Sequence, residues 1–168
     1  MPARPLHLYV DTIPVSDRHA AWNAALADLC LATPDPGGRD VSGTIRLATS
    51  ASGACLALVS GPPQRLMPLG AAAATAPFLL LLALRGRGSL SAGRRLLEFA
   101  DGDLVALDLG QPWQLDWRQD FDAVLLELPR TAVAVRLGRN RASLPVVLGA
   151  TVATLSAKAM LRVLAGHV

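Results

Sequence analysis

The chain has 168 residues, of which 52% are hydrophobic and only 17% are charged. This balance excludes an intrinsically disordered chain, which combines low hydrophobicity with high charge. The formal net charge of +3 does not by itself indicate nucleic-acid binding, because such binding shows as a clustered basic patch. The length is that of one domain, so we expect residues 1–168 to form a single domain with its own core.

We expect no targeting or membrane-spanning segment. The first 20 residues contain three prolines and two aspartates, unlike a signal peptide. The most apolar stretch, residues 71–84, is interrupted by Pro77 and is too short to cross a membrane. Cys30 and Cys55 lie among apolar residues, which favours free thiols in a reducing compartment and leaves a disulfide as the alternative. These features predict a cytoplasmic protein that does not bind membranes.

The N-terminal part of the chain predicts an arm followed by a helix. Residues 1–14 carry three prolines and predict an arm or a short edge strand. A helix is predicted over residues 16–31, with Ser16 as its N-cap, because Trp22 and Leu26 begin an apolar face at helical spacing.

Beyond residue 41 the hydrophobic period changes to two, which is typical of half-buried strands. The clearest case is Trp113, Leu115 and Trp117, which alternate with polar residues. Turns rich in glycine, proline and aspartate separate the segments. The pattern predicts about eight short strands, at residues 41–47, 54–59, 64–69, 79–84, 89–98 (a hairpin), 103–109, 113–117 and 122–128.

The C-terminal part predicts two helices. Pro129 ends the last strand, residues 131–137 form a short helix, residues 138–145 a loop, and residues 147–164 a final helix. The chain is therefore predicted to be α+β with a β core. Many short strands indicate a sandwich or a small barrel, with one helix before it and two after it.

The sequence contains none of the common catalytic or metal-binding motifs. His7, His19 and His167 lie in three different predicted elements, and the strand region of residues 41–128 contains no histidine. We therefore predict no metal, no cofactor and no catalytic residue. Carboxylates fall close together in the sequence, and we favour solvated or turn-capping roles over a catalytic pair. These carboxylates are Asp101, Asp103, Asp108, Asp116, Asp120, Asp122 and Glu127.

Residues 102–130 contain a pattern that resembles a known family. It consists of Gly-Asp-Leu-Val-Ala-Leu-Asp at 102–108, Gln-Pro-Trp at 111–113, and Phe-Asp-Ala-Val-Leu-Leu-Glu-Leu-Pro-Arg at 121–130. The chain resembles the N-terminal effector-binding domain of AraC-type bacterial transcription regulators, in their cupin-like branch. The resemblance implies a cupin-like, jelly-roll barrel that senses a small molecule, and helices that form a homodimer. It also implies a separate C-terminal domain of two helix-turn-helix motifs that binds promoter DNA.

That DNA-binding domain is expected to be absent from this chain, which stops at Val168 near where a linker would begin. We therefore expect this chain not to bind operator DNA on its own. The first hypothesis is a non-enzymatic sensor and dimerisation domain. The second hypothesis is a small, metal-independent cupin-like enzyme, an isomerase or hydrolase that uses Asp or Glu.

Under the first hypothesis, apolar strand residues inside the barrel contact the effector, with a tryptophan as a wall or lid. An aliphatic lining predicts an apolar or amphipathic effector, although a collapsed pocket with a purely structural role is the alternative. The predicted pocket residues are Leu56, Leu58, Leu80, Leu82, Leu97, Trp113 and Trp117.

The final helix carries an apolar stripe at helical spacing. Packing on its own barrel alone is one interpretation of such a stripe, and the resemblance favours contact with a second copy. The predicted dimer residues are Leu148, Val152, Leu155, Ala159 and Val163.

Overall fold

The computed structural model of the chain describes residues 6–34, 41–50, 52–69, 75–131, 133 and 145–166. Within these ranges, antiparallel strands form two sheets that pack face to face. The seven-stranded sheet has the order β1 (Leu6–Tyr9), β3 (Thr44–Thr49), β4 (Cys55–Gly61), β11 (Phe121–Leu128), β6 (Phe78–Arg85), β9 (Leu104–Asp108) and β12 (Val146–Leu148). The five-stranded sheet has the order β2 (Leu31–Ala32), β5 (Arg65–Pro68), β10 (Gln114–Trp117), β7 (Gly88–Ala92) and β8 (Arg95–Phe99).

The predicted α+β class with a β core agrees with this sandwich, but the strand count differs. The described residues contain twelve strands rather than about eight, because very short segments also pair. The Leu6–Tyr9 segment pairs at the edge of a sheet, in agreement with the edge strand that was one of the two predictions for residues 1–14. The hairpin predicted over residues 89–98 is confirmed as β7 and β8, and Gly93 takes a positive φ of 59° at its turn.

Alternation along the strands divides the apolar residues into two clusters. The interior cluster lies between the sheets, since it holds residues of both, such as Ala57 of β4 and Leu115 of β10. The second cluster lies on the other face of the seven-stranded sheet, around Leu82, Val124 and Leu161. The seven-stranded sheet is therefore covered on both faces, which explains why its central strands are apolar throughout.

Helix α1 (Val15–Ala27) packs on the interior cluster through Trp22, Ala25 and Leu26. Trp22 is fully buried in the interior cluster, and its indole Nε1 donates a 3.0 Å hydrogen bond to Oε1 of Gln64. The predicted N-cap and helix end are both wrong. Pro14 occupies the cap position without a side-chain cap, because its fixed φ already sets the entry of the chain. The helix ends before residue 31 because Cys30 adopts a φ of 54° and Leu31 enters β2.

Helix α2 (Val152–Ala165) lies on the outer face of the seven-stranded sheet, where Leu161 is buried. It begins later than the predicted residue 147, because Val146–Leu148 pair with β9 as a strand. The hydroxyl of Thr151 then caps the helix by accepting a 3.2 Å hydrogen bond from the backbone N–H of Thr154.

The other C-terminal helix is described only in part. Residues 130, 131 and 133 are helical, and the remainder of the predicted helix over residues 131–137 lies outside the described residues. The same holds for the predicted loop over residues 138–145, apart from Pro145. No helix within the described ranges is long and apolar enough to span a membrane.

Candidate functional site

Four of the predicted pocket residues lie on the opposite face from the one expected. Leu56, Leu58, Leu80 and Leu82 belong to the cluster beneath α2. The residues that alternate with them, among them Ala57 and Leu81, face the interior. The correction has a physical cause: a strand buried on both faces is apolar at every position, so period-two alternation does not reveal which side points inward.

The other three predicted pocket residues do contact the interior cluster. Leu97 is half-buried against it, and both Trp113 and Trp117 are buried within it. Trp117 lies at one end of the sandwich, stacked on Phe121 with ring centroids 4.4 Å apart and edge-on to Phe99 at 5.0 Å. That end is filled with packed aromatic rings.

Close packing around Trp117 also depends on a glycine. A Cβ at Gly88 would lie 2.5 Å from the ring of Phe99 and 2.7 Å from the carbonyl oxygen of Asp116. Both distances are shorter than any real Cβ contact, so the ring and strand can approach this closely only at a glycine. This packing makes Trp117 a core residue.

The opposite end of the sandwich carries a carboxylate that faces inward, and we call it the Glu127 end. Glu127 pairs across the strands with Cys55 on one side and with Leu79 on the other. Leu79 in turn pairs with Leu107, so these four side chains form one row across the sheet. Cys55, Leu79 and Leu107 belong to the interior cluster, and the alternation of β11 after Leu125 puts Glu127 on the same face.

The carboxyl group of Glu127 is held without a counter-charge in this row. Its Oε2 is buried and has no hydrogen-bond partner among the described residues. Burial raises the pKa of Glu127 above its ordinary value. The sequence prediction grouped Glu127 with solvated and turn-capping carboxylates, because β11 is apolar on both faces and its sequence does not show which face points inward.

Two free thiols lie beside this carboxyl group. Cys55 is Glu127's cross-strand neighbour, and Cys30 packs against the same cluster from the loop after α1. Burial, together with the charge of Glu127, raises the pKa of both thiols. Both cysteines are therefore poor nucleophiles, and the predicted free-thiol state agrees with the structure.

Trp113 lies at the same end and faces Leu107 across the interior. The two side chains line a small cavity together with Ala92, Gln111 and Pro145, and its volume is about 10 Å³. This volume is of the order of one water molecule. The indole Nε1 of Trp113 is buried and has no hydrogen-bond partner in the described part of the chain. Trp113 therefore borders the cavity and carries an unpaired hydrogen-bond donor.

Asp108 and Arg130 form a buried ion pair at the edge of this cavity. The Arg130 side chain is 15% exposed and that of Asp108 is 7% exposed. Arg130 also donates a 2.7 Å hydrogen bond to the carbonyl oxygen of Ala76, and its guanidinium lies over the Phe78 ring. The backbone N–H of Gly110 donates a further hydrogen bond to Asp108. Asp108 is fully engaged, so it is not a free general base that could act with Glu127.

The described residues contain no group of three or more His, Cys, Asp or Glu side chains that is arranged to hold a metal ion. Two ion pairs lie on the outer face of the five-stranded sheet, Arg65–Asp116 at 2.7 Å and Arg118–Glu98 at 3.1 Å. Partial burial opposes the ionisation of Asp116, but hydrogen bonds from Arg65 and Gln114 outweigh it and lower its pKa.

Helix α2 presents two opposite faces. Thr154, Leu161 and Ala165 are buried against the sheet. The face turned away from the sheet is apolar and exposed, and Val152 reaches 82% exposure. Four of the five predicted dimer residues lie on this outer face, whereas Leu148 belongs to β12 and is partly buried in the cluster beneath α2. We call the outer face the α2 stripe, and it consists of Val152, Leu155, Ser156, Ala159, Met160 and Val163.

Fold and site together define a class of protein: an antiparallel two-sheet sandwich with an inward-facing polar end and an apolar helix on its outside. The crystal structure of the AraC-like transcriptional activator CuxR has this fold, with a TM-score of 0.75 at 18% sequence identity. The match covers 92% of this chain, and it spans 58% of the length of that protein. At this identity, the likeness shows the fold alone.

Weaker likenesses extend to cupins. A cupin superfamily protein from Desulfitobacterium hafniense has a TM-score of 0.44 at 11% identity, covering 55% of this chain and 82% of its own. An RmlC-like cupin from Desulfovibrio desulfuricans has a TM-score of 0.42 at 13% identity, covering 52% and 82%. No curated protein sequence matches the chain.

The sequence itself matches the AraC-binding-like domain family over residues 19–168. The chain belongs to this family, which confirms the resemblance seen in residues 102–130.

Proposed function

We propose that this chain is the effector-sensing and dimerisation domain of an AraC-type transcription regulator and has no catalytic activity of its own. Family membership over residues 19–168 supports a regulatory domain. The observation that carries the proposal further is the α2 stripe, an apolar helix face turned away from the chain's own core. A sensor of this class needs a ligand site and a contact to a second copy, and the described residues offer a candidate for each.

The occupant proposed for the α2 stripe is a second copy of this chain. Small side chains, Ser156 and Ala159, lie at its centre and allow two helices to approach closely. The positive charges of α2, Lys158 and Arg162, lie to one side of the stripe, and the Arg162 guanidinium reaches back toward Gly102 of the same chain. The stripe itself is uncharged, so a self-complementary, two-fold contact brings no like charges together at its centre.

The effector is proposed to bind at the Glu127 end. That end combines apolar walls with an unpaired acceptor and an unpaired donor, the arrangement that ligand sites use to fix orientation. At the other end of the sandwich, the interior around Trp117 is filled by aromatic rings that pack on one another. An amphipathic effector suits this end better than a purely apolar one.

Promoter DNA is proposed to be bound by a further domain of the regulator rather than by this one. The regulator acts in the cytoplasm, where bacterial promoter DNA lies. Effector binding changes the packing of the sandwich against its helices, and thereby the geometry in which two DNA-binding domains are held.

Sedimentation of two lysine variants tests the dimerisation part of the proposal. We expect the parent chain to sediment as a dimer at micromolar concentration and Leu155→Lys to sediment as a folded monomer, because a charge at a buried apolar contact is strongly unfavourable. Ala153→Lys is the matched control, since it adds the same charge on an exposed flank of the same helix and retains the dimer. A parent chain that remains monomeric at 100-fold higher concentration, or an unaffected L155K dimer, refutes this role for the stripe.

A further inference from the structure

Two arginines, Arg87 and Arg118, lie directly opposite each other at one end of the five-stranded sheet. Gly88 of β7 pairs with Trp117 of β10. One residue further along, the backbone N–H of Arg118 donates a 2.9 Å hydrogen bond to the carbonyl oxygen of Arg87. Because Trp117 faces the interior, alternation turns both arginine side chains outward. Opposed residues of a hydrogen-bonded pair have Cα atoms about 5.5 Å apart, so both guanidinium groups can reach one small group.

This pairing of like charges differs from two other cross-strand pairs of the chain. Arg65 lies opposite Asp116, and their ion pair measures 2.7 Å. Arg85 lies opposite Asp122, also with an ion pair of 2.7 Å. Like charges directly opposite each other destabilise a sheet. The side chain of Arg87 has no ion pair or hydrogen bond within the described residues. A bound anion would turn this repulsive pair into an attractive site.

Both arginines line one open pocket on the outside of the sandwich, and its volume is about 300 Å³. This volume is that of a small-molecule site rather than of a single ion. The side chain of Arg118 is 56% exposed, so a ligand reaches it without any change in the packed interior. The other lining residues are Gly88, Glu98, Phe99, Ala100 and Asp103.

Two carboxylates limit the charge that this pocket can accept. Glu98 pairs with Arg118 at 3.1 Å, and an exposed ion pair of this kind is weak enough for another anion to displace it. Asp103 caps a turn by accepting a 2.9 Å hydrogen bond from the backbone N–H of Ala100. The two arginines and the two carboxylates balance in charge. A group with one negative charge therefore suits the pocket better than a doubly charged phosphate.

We propose that Arg87 and Arg118 together bind the carboxylate of a small, flat monocarboxylic acid. Each carboxylate oxygen accepts a charge-assisted hydrogen bond from one guanidinium group. The apolar body of the acid lies against Ala100 and the aliphatic parts of the arginine side chains. A flat ring suits this position, because guanidinium groups stack on aromatic faces. This site is separate from the effector site proposed at the Glu127 end and goes beyond the proposed function.

Three probes with the same ring test the charge preference: benzoate carries one negative charge, benzamide none and phenyl phosphate up to two. At low ionic strength, we expect the parent chain to bind benzoate in calorimetry and benzamide about tenfold more weakly. Phenyl phosphate is expected to bind no more tightly than benzoate, because Glu98 and Asp103 repel its second charge. In an NMR titration with benzoate, the backbone N–H signal of Arg118 moves, whereas the indole signal of Trp22, which is bonded to Gln64, does not.

Variants of the lining residues test the position of the site. Arg87→Gln and Arg118→Gln are each expected to weaken benzoate binding about tenfold and to leave benzamide binding unchanged, because each loses one charge-assisted hydrogen bond. Glu98→Gln is expected to tighten benzoate binding, because it removes the carboxylate that competes for Arg118. Arg94→Gln is the matched control. It removes the same charge from the exposed turn at the far end of the β7–β8 hairpin, and it binds benzoate as the parent does.

The outcomes separate this site from a general attraction of anions to a positively charged chain. Benzoate binding that is absent in the parent, or equal in the parent, R87Q and R118Q, overturns the site. An equal loss of binding in R94Q also overturns it, because the response would then follow the net charge alone. Phenyl phosphate that binds more tightly than benzoate overturns the assignment to a monocarboxylate. Each of these results leaves the proposed dimerisation through the α2 stripe to its own test.

Discussion

The carboxyl group of Glu127 lies in surroundings that oppose its ionisation. Burial raises the pKa of its carboxyl group, so the native chain binds this proton more tightly than the unfolded chain does. The stability contributed by Glu127 is therefore highest below the ordinary pKa of a glutamate. It falls as the pH rises through the raised native pKa, and it stays lowered at pH 7.

This sign gives a prediction for Glu127→Gln. The variant cannot ionise, so we expect it to be more stable than the parent at pH 7 and to lose this advantage near pH 4. Urea unfolding at the two pH values measures the difference. Glu98→Gln has an exposed side chain and is expected to show no comparable gain. An E127Q variant that is less stable than the parent at pH 7 contradicts an unpaired, ionised carboxylate in the native state.

At the scale of the element, helix α2 uses one face to stabilise the folded chain and is proposed to use the opposite face to contact a second copy. Leu161 is 1% exposed in the cluster beneath the helix, whereas Val152 is 82% exposed in the α2 stripe. In the monomeric L155K background we expect Leu161→Ala to lower the free energy of unfolding by about 3 kcal/mol, because it leaves a cavity. Val152→Ala in the same background is expected to change it by less than about 0.5 kcal/mol.

Denaturant unfolding of both variants checks this pair. Equal losses from L161A and V152A would show that both faces of the helix are buried in the monomer. The α2 stripe would then be part of the chain's own core rather than a surface for a second copy.

Elements with a single buried face were predictable from the sequence. In β10, Leu115 and Trp117 face the interior while Asp116 faces solvent, and this alternation was evident from the sequence. The hairpin around Gly93 was equally clear. In such segments polarity reports directly on burial, since one side of the strand meets water.

Elements covered on both faces could not be oriented from the sequence. In β4 and β6 nearly every residue is apolar, because the sandwich interior lies on one side and α2 on the other. Leu56 and Leu58 were therefore placed on the wrong face. The pairing of Val146–Leu148 with β9 was missed because three residues are too few to show a period. The site was missed at Glu127 for a related reason: only the register shows that its neighbours are Cys55 and Leu79.

At the scale of the whole molecule, the proposed dimer makes stability depend on concentration. Native dimers dissociate on unfolding, so mass action favours the folded state at higher protein concentration. We expect the melting temperature of the parent to rise by about 2 °C for each tenfold increase in concentration. Scanning calorimetry over two decades of concentration measures it, and L155K is expected to show no dependence. A parent whose melting temperature stays constant contradicts a dimer at these concentrations.

Strand β12 connects the candidate ligand site to the helix proposed to join two copies. Pro145 lines the cavity beside Trp113, β12 follows at once, and only Gly149, Ala150 and Thr151 precede α2. A bound molecule that moves Pro145 also moves the adjacent strand β12. Because only three residues separate β12 from α2, this movement changes the angle at which the helix leaves the sheet. Because β12 is the edge strand, β9 is the one strand of the sheet with which it pairs, while Val147 and Leu148 pack on the two clusters.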